Sequence, residues 1–475
     1  MSRSVYSFLF SLLVTFSIAQ HQDPSWSSRR AIINEQSITG DSLSNVLHQL
    51  GTFEGHLRTY FMTTTNHEDY PDYYALAMGG GLGYYSPIIK NFQLGMSGFI
   101  IYNLASSNLI NQPPFSNRYE IGLFDIKNPE NHADLDRLED LYLRYYLKDH
   151  HSYIQIGKFH LQTPLINQQD GRMRPNLQEG MWVEWNEWKK IRLKSGWLWR
   201  TSPRGTIQWF NVGESLGVYP GGRATNGAKA DYAGNISTPG VAISNVVVIP
   251  NKALNVQLWN YYVPDLFTTT MARMEWRKKS SDEREWSLGV QYLWQNSLYN
   301  DTLSLEKQYI TKDEQSHAVS TRLGFSSSQS KNEWNLNYTR ITNHGRYLFP
   351  REWGVEPFYT FMYRERVEGA GNVHAVMLQN SRSMDKKEHL SLQTQAGVFW
   401  MPSESDAKLN KYAMPGFYQI NVKSRYKFQG FLHGLQADLL YTYKGQLATS
   451  LEELPVFYHN KVDMHHFSLV LDYYF

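Results

Sequence analysis

The sequence predicts an all-β fold, a transmembrane antiparallel β-barrel of about eighteen strands. Three observations carry that prediction. Segment after segment alternates apolar and polar residues with a period of two. Aromatics reach 15% in a chain whose mean hydropathy is only −0.49. The last strand ends on an aromatic, Phe475. A chain that is polar on average yet holds 32 Tyr and 14 Trp suits a barrel with a wet lumen, an apolar outer band and aromatic girdles at both membrane interfaces.

The C-terminal segments show the alternation most clearly. Phe467, Leu469, Leu471, Tyr473 and Phe475 fall on one face, and Ser468, Val470 and Asp472 on the other. Upstream, Leu435, Ala437, Leu439, Tyr441 and Tyr443 oppose Gln436, Asp438, Thr442 and Lys444. Tyr418, Ile420, Val422 and Tyr426 oppose Gln419, Asn421, Lys423, Arg425 and Lys427. A half-buried soluble sheet also alternates. It rarely does so over ten residues, repeatedly, with long charged groups on one face and Trp, Tyr and Leu on the other. The same reading places strands at 55–63, 73–85, 91–104, 139–148, 152–160, 179–187, 190–200, 240–249 and 254–262. The second half follows at 267–277, 284–295, 317–327, 332–341, 372–380, 389–400, 416–428, 434–444 and 466–475. Short connections then alternate with long ones, as periplasmic turns alternate with extracellular loops, and both termini fall on the periplasmic side. The exception is 263–266, short where a long loop is due.

The N-terminus carries Arg3 and an apolar run from Phe8 to Ile18, with Ser17 and Ala19 before a cleavage point. That pattern is a cleavable secretory signal peptide over 1–19. The run is shorter than the roughly 18–20 residues of a spanning helix. Residues 20–54 are a polar periplasmic lead-in, and 55–475 the barrel. The chain has no cysteine, so disulfides, lipoprotein anchoring and thiolate metal ligands are excluded together. Its 46 Lys+Arg against 44 Asp+Glu leave a formal charge of +2, too balanced for nucleic acid as the main partner.

On the lumen face the alternation places a basic set: Arg58, Arg144, Arg192, Lys194, Arg200, Arg273, Arg277, Arg322, Lys423, Arg425 and Lys427. Inward acids, among them Glu184, Glu275 and Asp438, accompany it. A row of guanidinium groups along a narrow wet wall attracts carboxylates and phosphates. The alternative is that these cations only balance neighbouring acids. Two long loops carry Arg beside rigid residues. One holds Thr163-Pro164 and Asp170-Gly171-Arg172-Met173-Arg174-Pro175. The other runs Phe349-Pro350-Arg351-Glu352-Trp353-Gly354, then Glu356-Pro357-Phe358 and Arg364-Glu365-Arg366. Such Trp, Phe and Pro content points to loops folded into the barrel mouth, the alternative being rigid loops packed outside it.

At these motifs the chain resembles the OprD family of substrate-specific outer-membrane porins. The resemblance rests on FPREWGVEPFYTFMYRER at Phe349–Arg366 and IGKFHLQTPLINQQDGRMRPNLQEG at Ile156–Gly180. Weaker echoes are ALAMGGGLGY at Ala75–Tyr84 and GHLRTYF at Gly55–Phe61. It implies a barrel of about eighteen strands, with inward-folded third and seventh extracellular loops forming an eyelet and a basic ladder leading to it. Arg172, Arg174, Arg351, Arg364 and Arg366 are then the constriction residues. Loop 201–239 matches no motif of the family.

The function expected is passive diffusion of small, anionic or carboxylate-bearing solutes, with no cofactor and no metal. The expected partners are outer-membrane lipid, the solutes themselves and the barrel-assembly machinery, which would engage Phe475. A barrel enzyme is the rival from another class. Asp463, His465, His466 and Ser468 cluster in sequence, but no G-x-S-x-G nucleophile motif accompanies them. A barrel-anchored adhesin would need a passenger domain, and the longest loops are too short for one. Acidic amino acids, aromatic acids, peptides and sugars all remain compatible solutes.

Overall fold

The computed structural model describes residues 50–475 except 111–114, 148–149, 170, 281–282, 301, 386 and 448–453. The signal peptide and most of the lead-in, and Asp170 of the first loop motif, lie outside the described residues. Nineteen strands form one antiparallel sheet. They begin with β1 (Thr52–Thr65), β2 (Tyr73–Tyr85), β3 (Phe92–Ser106), β4 (Leu135–Tyr146), β5 (Tyr153–Phe159), β6 (Leu177–Trp185) and β7 (Ile191–Ser202). A two-residue strand, β8 (Phe210–Asn211), precedes β9 (Val241–Asn251), β10 (Leu254–Val263), β11 (Phe267–Lys279), β12 (Arg284–Ser297) and β13 (Gln315–Ser327). The last six are β14 (Asn332–Ile341), β15 (Val373–Ser383), β16 (Leu390–Trp400), β17 (Phe417–Lys427), β18 (Leu435–Gln446) and β19 (Met464–Tyr474). Each strand pairs with its sequence neighbour except β8, which only extends the β7 edge while β7 pairs directly with β9. β1 pairs with β19 from His56↔Tyr474 to Thr65↔His465, so eighteen strands close into a barrel, which removes the open edges of a flat sheet.

The eighteen strands are those the alternation predicts. In β19, Asp472, Ser468 and His466 are buried inside, while Leu471 and Tyr473 are exposed on the outer wall. Outward aromatics collect at two levels. Trp286, Trp334 and Phe92 lie near the short turns, Trp294, Trp400 and Tyr74 near the long loops, and Met78, Leu258, Leu323, Leu336 and Leu378 are exposed between them. Cross-strand pairs such as Phe92–Tyr145 and Trp286–Phe325, both with ring centroids 4.9 Å apart, tie neighbouring strands within the lower girdle. Among the described residues no helix is long and apolar enough to cross a membrane.

Four register shifts interrupt the strand pairings, and two of them, β3–β4 and β6–β7, change which residues the site receives. Opposite β3, Ser97 pairs with Asp140 and Gly98 with Leu138, so Glu139 is an extra residue and both Glu139 and Asp140 face inward. β4 consequently starts at Leu135, four residues before the alternation becomes regular. Between β6 and β7, Glu179 pairs with Arg200 and Gly180 with Leu198, leaving Trp199 as the extra residue.

The apolar core lies within the barrel, where the loops fold in. In the loop 342–372, Tyr347, Leu348, Phe349, Trp353 and Phe358 are buried against Tyr261, Phe267, Met271 and Leu293 of the wall. Burying each large side chain contributes roughly 1.5–3 kcal/mol. Two of the polar groups carried inward find partners in the wall and in a neighbouring loop. Leu348 N donates to Gln295 Oε1 at 3.1 Å, and Trp353 Nε1 donates to Ser215 Oγ at 2.9 Å. Ser215 closes a four-residue helix, Val212–Ser215, whose start is fixed by a capping box between Asn211 and Glu214. The loops 160–176 and 203–240 are therefore locked to the loop 342–372 as one plug.

Candidate functional site

Inside the plug the loops leave a cavity of about 990 Å³. Six connections supply its lining, from Arg118 in the loop 107–134 to Lys461 before β19. Ten cationic side chains face it against three carboxylates, Asp231, Glu365 and Glu368. A smaller cavity of about 70 Å³ lies toward the short-turn end, between β1 and β17–β19. Gly171, Tyr363 and Arg364 line both cavities, so they form the junction between them.

Four of the five predicted constriction residues line the larger cavity: Arg172, Arg351, Arg364 and Arg366. Arg172 Nη1 donates to Gly171 O at 2.8 Å. Arg364 donates to the same carbonyl at 3.3 Å, to Tyr60 Oη at 3.0 Å and to Ser468 Oγ at 3.1 Å. Arg366 Nη1 donates to Arg351 O at 3.3 Å, and its Nη2 to Gln169 Oε1. Arg351 lies 4.2 Å from the Tyr412 ring centroid and 3.7 Å from Glu368. Arg174 goes elsewhere. It is buried in an ion pair with Glu139, which also accepts from Arg137 at 3.2 Å, and it donates to His56 Nδ1 at 3.1 Å. Arg174 thus pins its loop to the wall, held by an acid 35 residues away that the bulge turns inward.

The basic ladder divides similarly. Arg58, Lys423 and Arg425 line the smaller cavity, with Arg58 forked onto Asp472 at 2.6 and 3.1 Å and Arg425 forked onto Asp438 at 2.6 and 2.9 Å. Lys423 lies 5.0 Å from the Tyr363 ring centroid. Lys194 pairs with Glu184 at 3.1 Å, Arg322 with Glu275 at 2.7 Å and Arg277 with Glu285 at 3.6 Å. Arg273 donates to Gln291 at 3.1 Å. Arg144 lies against Tyr153 and donates to Gln155 at 2.7 Å. Arg192 is half-buried near the short-turn end, and Lys427 is exposed there. Arg200 differs from its predicted place. The Trp199 bulge puts it on the outer wall, in register with the outward Glu179 and 3.7 Å from that carboxylate. Of the residues that prompted the enzyme reading, His465 faces outward and accepts from or donates to Tyr441 Oη at 2.8 Å, while His466 is buried beside Thr64.

Arg118, Arg204, Arg223, Lys411 and Lys461 also line the large cavity and were not expected there. They sit in irregular loops, where no periodicity marks a side chain as inward. Their setting is strongly cationic. Burial, then the neighbouring Arg364, brings Arg172 down to about 10. Burial and the guanidinium groups of Arg172 and Arg366 hold Arg204 well below the usual arginine range. Burial lowers Lys411 to about 8 even with Glu368 nearby. Crowded, desolvated cations of this kind are relieved by an incoming anion.

No family model and no curated protein matches this chain. Solved structures do. Pseudomonas aeruginosa OccK9 (OpdG) superposes with a TM-score of 0.68 at 13% identity, covering 89% of this chain and 97% of that one. Acinetobacter baumannii OccAB3 gives 0.67 at 13% identity, covering 89% and 98%. P. aeruginosa OpdK, solved with vanillate, gives 0.64 at 14% identity, covering 89% and 98%. These similar structures are porins rather than enzymes. The likeness is one of fold, and the fold of this chain is the eighteen-stranded barrel of the OprD-type porins.

Proposed function

We propose that this protein is an outer-membrane porin through which small solutes, anions preferentially, diffuse into the periplasm. The observation that carries the reading is the cation-rich cavity that meets the Arg58–Lys423–Arg425 cavity at Arg364, inside a closed barrel with an apolar outer band. Rings of fixed charge in a narrow lumen set which ions enter. Guanidinium forks match carboxylates, and the vanillate held by OpdK is a carboxylate of this kind. In the same reading the signal peptide directs export, both termini face the periplasm, and Phe475 presents the closing strand to the barrel-assembly machinery. Purified protein in planar bilayers should give discrete ohmic steps and a reversal potential favouring chloride over potassium. Protein that is folded in detergent yet never conducts would refute it.

A further inference from the structure

Most of the wall cations described above have a carboxylate partner or an aromatic face. The four around the junction differ. Arg172, Arg364 and Arg366 are held by neutral acceptors, Gly171 O, Tyr60, Ser468, Gln169 and Arg351 O. Among the described residues none of these three, nor Arg204, has a carboxylate within ion-pair distance. Three of the guanidinium groups meet at Gly171, and Arg366 reaches Gln169, two residues before it, as a charge neighbour of Arg204. Two donate to the same Gly171 carbonyl, and Arg204 Nη1 stands 3.3 Å from where a Cβ on Gly171 would lie. Gly171 lacks that Cβ, which leaves room for Arg204 to reach in. The described carboxylates that act on them from further off are Glu120, on Arg172 and Arg364, and Glu356 and Glu368, on Arg366.

We infer that the Arg172, Arg204, Arg364 and Arg366 cluster around Gly171 is a selective site for a phosphoryl dianion, inorganic phosphate or a phosphate monoester. This rests on the porin reading and specifies its solute class. A carboxylate offers two coplanar oxygens and one charge. A phosphoryl group offers three oxygens in a tetrahedral spread and a charge of about −1.5 to −2 at neutral pH, which suits forks arriving from three separate loops. Arg204 supplies the fork with no acceptor of its own among the described residues, so it is the one a bound phosphoryl group would engage most fully.

The test is block of single-channel chloride current at pH 8 by inorganic phosphate, glycerol 3-phosphate, succinate and benzoate. Half-block by phosphate or glycerol 3-phosphate is expected at a concentration about tenfold lower than for succinate or benzoate. Stronger block by the first assigns a free phosphate, and by the second an ester. Arg204→Gln should raise the phosphate half-block concentration about tenfold while moving that of benzoate much less. Arg204→Lys should keep anion selectivity but lose most of the phosphate preference, because an ammonium is a point donor and not a fork. Succinate or benzoate blocking as well as phosphate, or Arg204→Gln leaving phosphate block unchanged, overturns the inference and leaves the porin intact. Calorimetric titration of the detergent-folded protein with the same four anions reads the same ranking without conductance. A non-conducting protein that ranks phosphate first would overturn the porin reading alone.

Discussion

Arg364→Gln tests the junction most directly. Arg364 lines both cavities, and its guanidinium is tethered to Gly171, Tyr60 and Ser468 at 3.0–3.3 Å. Its backbone has a φ of +73°, in the left-handed region, where Gln is as disfavoured as Arg, so the substitution adds no backbone strain. What changes is one positive charge beside the path. At a separation near 4 Å a unit charge attracts an anion by about 1 kcal/mol with full water screening and about 4 kcal/mol at an effective dielectric of 20. A wet lumen lies toward the weaker limit. The loss is therefore about 1–2 kcal/mol, or roughly five- to thirtyfold in anion occupancy at the junction. In a tenfold KCl gradient the reversal potential should move toward the potassium limit, and half-block by a dicarboxylate should rise by the same factor. The wall carries the fold, so the heat needed to shift the folded band on a gel should barely change. A folded variant with the wild-type reversal potential and unchanged block would show that ions do not pass Arg364, and the two-cavity path would fall with it.

Four further outcomes are expected. Arg351→Gln should shift selectivity less than Arg364→Gln, since Glu368 at 3.7 Å already offsets Arg351; an equal shift in reversal potential would contradict this. Glu139→Gln should destabilise by about 3–5 kcal/mol in denaturant unfolding, because it leaves buried Arg137 and Arg174 without their shared anion; wild-type stability would refute the anchor role. Leu439→Arg, on the lipid face, should cost roughly 2–4 kcal/mol in bilayer folding, whereas Lys423→Gln in the lumen should cost little, and equal costs would reverse the assignment of faces. Burial pushes Glu356 in the plug up to about 7. Below about pH 4.5 the group is protonated whether the chain is folded or unfolded and contributes no difference. Between there and pH 7 the unfolded chain ionises first, so stability falls by up to about 3 kcal/mol and then levels off. Glu356→Gln should flatten that stretch of the stability–pH curve, and an unchanged curve would refute it.

The wall was legible because one physical rule governs it: each strand has lipid on one side and water or plug on the other, and side chains alternate between them. The rule failed where an extra residue entered a strand. Glu139 shortened the visible part of β4, and Trp199 sent Arg200 to the outer face. In the site, Arg172, Arg351, Arg364 and Arg366 were legible because rigid Pro and aromatic neighbours mark their loops. Arg174 belongs to the same motif, yet its direction depends on Glu139, a partner in a distant strand. Arg204 and Lys411 carried no signal. Their places are set by contacts between loops, such as Arg204 N donating to Asn176 Oδ1 at 2.7 Å, which no spacing along the chain encodes.

The seam between the first and last strands holds more than the barrel shape. Arg58 of β1 forks onto Asp472 of β19, and the same guanidinium donates to the carbonyl of Arg172 at 3.0 Å. One side chain therefore joins the first and last strands to the loop at the junction. Until the final strand has docked, Arg58 lacks its carboxylate and the loop lacks a correctly aimed donor. A cylinder that is still open cannot hold its inner aperture in the finished shape. On the proposed porin reading, assembly and permeability are coupled through this residue: a molecule sealed out of register would carry a misplaced filter as well as a misplaced strand.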